Sequence, residues 1–140
     1  MPQILTRNFG LMAASALVAA LLGTSASPLV ATAQSSGLEG SWGGGGRIVF
    51  PSGETERASC RARFRHRGGN SYYMSAICAT ASTRVQQTAE IRRVGGNVYR
   101  GDFFNEEHGI AGHIRITVSG SRLSASLKGG GGSAHFSLRR

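Results

Sequence analysis

From residue 41 onward, apolar and polar side chains alternate with a period of two in separate runs at about 41–50, 55–66, 71–79, 83–93, 98–104, 109–118, 122–128 and 133–139. That period puts successive side chains on opposite faces of an extended strand, and β-branched and aromatic residues occupy many of the positions. No run after residue 34 sustains the period of an amphipathic helix. One parity gathers Trp42, Ile48 and Phe50; Cys60, Ala62 and Phe64; Met74, Ala76 and Cys78; Val85, Ala89 and Ile91; Tyr99, Gly101 and Phe103. It continues through Ile110, Gly112, Ile114, Ile116 and Val118; Leu123, Ala125 and Leu127; Ala134, Phe136 and Leu138. This set is the predicted inner face.

Short breaks of turn-forming residues separate the runs: Pro51-Ser52-Gly53, Arg67-Gly68-Gly69-Asn70, Gly95-Gly96-Asn97, Ser119-Gly120-Ser121 and the glycine run 129–132. Connections this short join sequential neighbours as antiparallel hairpins. The expected fold is all-β, an eight-stranded antiparallel up-and-down β-barrel over 41–140, because closing the meander removes its two exposed edges. A barrel of this size is either filled by its own side chains or holds one small ligand, and the Ala and Gly on the inner face leave both open.

Cys60 and Cys78 are equidistant from Gly69, the centre of the second turn. A tight hairpin centred there sets them opposite one another on the inner face, within reach of a disulfide.

The N-terminal 33 residues carry a single charge, Arg7, before the uncharged run Phe9–Leu22. That run is shorter than the roughly 20 residues needed to span a bilayer. With small residues at Ala31-Thr32-Ala33, it reads as a cleaved secretory signal peptide, followed by a short 34–40 segment and a mature chain without a transmembrane segment. The expected location is periplasmic or secreted, where a two-cysteine bridge is the ordinary outcome.

Of 140 residues, 16 are Lys or Arg and only 7 are Asp or Glu, a formal charge of +9. Lys128 is the only lysine, so the charge is almost all arginine, whose planar fork pairs with carboxylate, sulfate or phosphate and stays charged at any working pH. Arg61, Arg63, Arg65 and Arg67 alternate with inner-face residues, with Arg57 nearby, and form a ridge roughly 20 Å long on one strand. Arg84, Arg92, Arg100 and Arg115 also fall outward. The ridge suits an anionic partner with repeated charge, either lipopolysaccharide or an anionic polysaccharide. Aromatic side chains are sparse on that face, Tyr73 being the clearest, so nucleic acid is disfavoured.

Catalytic patterns are weak. Asn105-Glu106-Glu107-His108 and His113 lack the spacing of a metal motif, no serine lies in a GxSxG turn, and Gly43–Gly46 lacks the Lys-Ser/Thr of a phosphate loop. The expectation is a non-enzyme with neither metal nor cofactor.

Gly40-Ser41-Trp42 resembles the GxW with which the calycin group, lipocalins and avidins among them, opens its barrels. The resemblance implies that an arginine at the end of the last strand, Arg139 or Arg140, packs on Trp42. It also implies a carrier of a small apolar ligand, whose cavity would lie among Trp42, Phe64, Met74 and Phe103. In size the chain is similar to secreted bacterial metalloprotease inhibitors, which implies an inhibitory segment at Gln34–Glu39. The pattern SGLEGSW, CRARF and ICATAS resembles small exported proteins of alphaproteobacteria. The leading expectation is an exported binding protein whose arginine surface engages an anionic cell-envelope or extracellular partner, ahead of the carrier and the inhibitor.

Overall fold

The computed structural model describes residues 27–29 and 37–140. The expected signal peptide at 1–33 therefore lies outside the described residues except for 27–29, which have no regular structure, and so does 34–36. From Gly40 the chain forms β1 (Gly40–Val49), β2 (Thr55–Gly68), β3 (Ser71–Ala79), β4 (Arg84–Gly95), β5 (Val98–Asn105), β6 (Ile110–Ser119), β7 (Arg122–Gly129) and β8 (Gly132–Arg139). Each strand pairs antiparallel with its sequence neighbour, and β1 closes on β8 to complete the barrel.

The strands match the sequence expectation to within two residues. β2 and β4 run further because their hairpins end in register shifts, at His66/Gly68 and Arg93/Gly95, that absorb an extra residue. Phe50 is a correction: it falls outside β1, in a turn where its amide donates to the Glu54 carbonyl (2.8 Å) and its carbonyl accepts from Gly53 (2.9 Å).

Alternation turns the apolar parity inward, and most of it is buried, joined by Leu38 and Ala58. Apolar inside and charged outside is the reverse of a membrane-spanning barrel, whose apolar band faces lipid. Among the described residues no helix is long and apolar enough to cross a membrane. Cys60 and Cys78 are directly opposed, 4.1 Å apart at Cα, and form a disulfide that is buried within the core.

Closure depends on glycine at the β1–β8 seam. Gly44 and Gly46 lie on the inward parity of β1, opposite Leu138 and Phe136. A Cβ on Gly46 would run into the His135 carbonyl and the Phe136 ring, so only a bare backbone allows the strands to approach and bend this closely. Gly112 on β6 meets Gly129 and the Phe103 ring in the same way. Outward Gly43 and Gly45 face ordinary or open contacts.

Two outcomes follow for stability. In urea unfolding, Gly46→Ala should lose about 1–3 kcal/mol by overpacking, with Gly43→Ala nearly neutral. The double variant Cys60→Ala/Cys78→Ala should lose about 3 kcal/mol, since its bridge closes a loop with a sequence separation of 18; equal midpoints would contradict a stabilising bridge.

Candidate functional site

The two ends of the barrel differ. At one end the chain entering β1 folds across the opening: Leu38 is fully buried, and the Trp42 indole Nε1 donates to the Leu38 carbonyl (2.9 Å). Arg140, rather than Arg139, lies over the Trp42 ring with its guanidinium carbon 4.4 Å from the centroid, and its Nη1 donates to the Glu39 carbonyl (3.0 Å). A contact of this kind contributes about 0.5–2 kcal/mol. Tyr72 meets Tyr99 edge-on at 5.5 Å and His66 at 5.1 Å. Burial and then the neighbouring Tyr99 push the Tyr72 hydroxyl above its ordinary range. This end is sealed, and the described part of the 34–39 segment, residues 37–39, is tied into the seal through Leu38 and Glu39.

The other end is open. Ile48, Val85, Ile110 and Ala134 on the inner parity are only half-buried, because none of the described segments crosses the mouth above them. They surround a cup of about 400 Å³ whose floor is Phe103, Leu127 and Phe136. Phe50 and Pro51 stand at its rim. Gln87, Asn105 and His108 supply polar groups at one side. Asn105 is the one buried polar residue among the described residues, and its Oδ1 accepts the His108 amide (3.1 Å), shaping the β5–β6 turn.

The four residues expected to line a cavity do not share one chamber. Phe103 lines the cup, whereas Phe64 and Met74 border a residual void of about 30 Å³ deeper in the core, and Trp42 belongs to the seal. The cup is bounded instead by mouth residues, among them Gln87, absent from the expected set, and Asn105, expected only in a polar hairpin turn. Both sit on the inward parity of their strands, and a polar side chain at an inward position was the signal that marked the opening.

On the rim, the turn between β3 and β4 is held by Glu56, whose carboxylate accepts the Ser82 amide (3.4 Å). Hydrogen bonds from Ser82 and then Thr80 hold the Glu56 carboxyl below its ordinary range. His113 does not join His108: it pairs with Asp102 (2.6 Å) on the outer wall.

Arg57, Arg61, Arg63, Arg65 and Arg67 all project outward from β2 and are exposed. Arg67 lies over the Tyr73 ring at 5.0 Å. The charge is also distributed along the barrel axis. Glu54, Glu56, Glu106 and Glu107 flank the mouth turns, while Arg67, Arg93, Arg122, Arg139 and Arg140 cluster at the sealed end.

No protein family model and no curated protein matches the chain. Solved structures do. The redesigned β-barrel mFAP1, bound to DFHBI, superposes with a TM-score of 0.63 at 13% identity, covering 74% of this chain and 94% of that one. A de novo designed fluorescence-activating β-barrel gives 0.58 at 15% identity, over 74% and 93%. At these identities the likeness concerns the fold alone: this chain is built like these small closed β-barrels.

Because the Glu56 pKa is lowered in the folded state, the contribution of its rim contact is present above the unfolded value and is lost as pH falls through the folded one. A carboxyl NMR titration should find the Glu56 midpoint below the ordinary glutamate value, with the Ser82 amide shifting along the same curve. Glu56→Gln should remove the Ser82 transition.

Proposed function

We propose that the chain is a binding protein, not an enzyme, that carries one small and mostly apolar molecule in the cup at the barrel mouth. The observation that carries this reading is the cup itself, with an apolar floor, polar groups on one side and a sealed opposite end. Its volume of about 400 Å³ falls within the range of small-molecule sites. The ligand class it suits has an apolar body, seated on Phe103, Leu127 and Phe136, and one hydrogen-bonding end directed toward Gln87 and Asn105. The resemblance in fold to designed barrels bound to DFHBI is compatible with this use of the mouth.

A second reading concerns the outer wall, where the exposed arginines of β2 engage an anionic polymer of the cell envelope or its surroundings. The uninterrupted sign of Arg61, Arg63, Arg65 and Arg67 favours it. Export to the periplasm or beyond fits both readings, and the buried disulfide is compatible with it.

Native mass spectrometry of the protein isolated from its host without denaturation should show an added small mass that is lost on unfolding. Titration with Nile red, a neutral apolar dye, should saturate at one site per chain. Ala134→Trp, which fills the mouth, should weaken dye binding at least tenfold while leaving the fold intact by circular dichroism. A bare mass together with no saturable dye signal would overturn the carrier reading.

A further inference from the structure

Outward-facing residues can be followed from strand to strand. Ser71 of β3 opposes Arg92 of β4, which opposes Arg100 of β5, which opposes Arg115 of β6, which opposes Ser126 of β7. The same row continues through His135 of β8 and Arg47 of β1 to Arg57 of β2. Strands in a closed barrel are staggered, so a row followed across them does not return to its starting residue but climbs along the strand it began beside. Here the row starts at Ser71, next to Gly68 and Arg67, and returns to β2 at Arg57. The outward positions of β2 between those two points are Arg61, Arg63, Arg65 and Ser59.

We infer that these residues form one continuous cationic belt around the barrel, and that its partner is a flexible acidic polysaccharide chain that winds along it. This deepens the second reading above and rests on it.

Neither the row nor the outward face of β2 from Arg57 to Arg67 contains an acid. The next row toward the mouth carries both signs: the acids Glu90 and Asp102 are followed by His113 and Lys128, and Asp102 pairs with His113. Like charges directly opposite one another weaken a strand pair, yet Arg92, Arg100 and Arg115 stand side by side, as do Arg47 and Arg57. Among the described residues none of these five has an ion pair. Such an arrangement is relieved by an external anion.

The shape of the belt selects the kind of anion. A flat membrane meets one side of a barrel at a time, whereas a flexible chain can follow the belt around it. Within the groups Arg92, Arg100, Arg115 and Arg47, Arg57 the cations stand on strands about 4.8 Å apart, and along β2 they recur about every 6.7 Å, suited to a polymer with charge on every unit. A nucleic-acid strand would gain from stacking its bases, but the row has no Phe, Tyr or Trp and the Tyr73 ring beside it is occupied by Arg67.

The test is binding of the whole protein to polygalacturonate over a salt series. Two triple variants are compared, Arg92→Gln/Arg100→Gln/Arg115→Gln on the row and Arg61→Gln/Arg63→Gln/Arg65→Gln on β2. The double variant Arg47→Gln/His135→Gln breaks the belt on its other side, should a triple fail to fold. Each triple should lower affinity at least tenfold and reduce the dependence of log K on log salt, because fewer counterions are released. The row triple should also melt no lower than the parent. If only the β2 triple weakens binding, the belt is overturned while the second reading stands; if no variant does, both fall. Equal affinity for phosphatidylglycerol vesicles or for an oligothymidylate would overturn the polysaccharide assignment.

Discussion

The fold depends on the seam where the first strand meets the last. An antiparallel sheet of eight strands becomes a barrel only if its ends can pair, and pairing at this curvature brings backbones closer than a side chain permits. The chain meets that constraint with Gly44 and Gly46, which lie against Leu138 and Phe136 without a Cβ between them. Phe136 then covers the bare stretch of β1 and forms part of the cup floor, so the residue that fills the seam also shapes the site.

Closure creates two openings, and the sequence treats them differently. Leu38 and Trp42 plug one, with Arg140 stacked on the indole and bonded to the Glu39 carbonyl, so both termini of the barrel secure the same lid. At the other opening the inner parity runs to half-buried aliphatic side chains and two polar ones. The interior between is packed, leaving only a small void beside Phe64 and Met74. Among the described residues the larger open space therefore lies at the mouth and not along the axis.

Strand positions, hairpin pairing and the Cys60–Cys78 bridge were legible in the sequence because each rests on local periodicity and on short turns that leave one pairing available. The opposition of the two cysteines about Gly69 needed no long-range information. The cup was less legible, since a strand pattern shows which residues face inward but not how far along the axis each one sits. Phe64, Met74 and Phe103 share a face, yet the directly opposed Phe64 and Met74 border the deeper void while Phe103 reaches the cup, a difference set by the stagger between strands. That stagger emerges only when the sheet closes, and it also decides which arginines become neighbours. Phe50 belonged to the alternating pattern of β1 and was lost from it because the turn from Phe50 to Glu54 bends the chain away first.

Carboxylates around the mouth and guanidinium groups around the sealed end give the molecule an electric dipole along the barrel axis. In the field of a negatively charged surface such a body experiences a torque as well as an attraction. The torque turns the sealed end toward negative charge and the mouth away from it. The orientation that lowers its electrostatic energy near negative charge therefore leaves the mouth unobstructed.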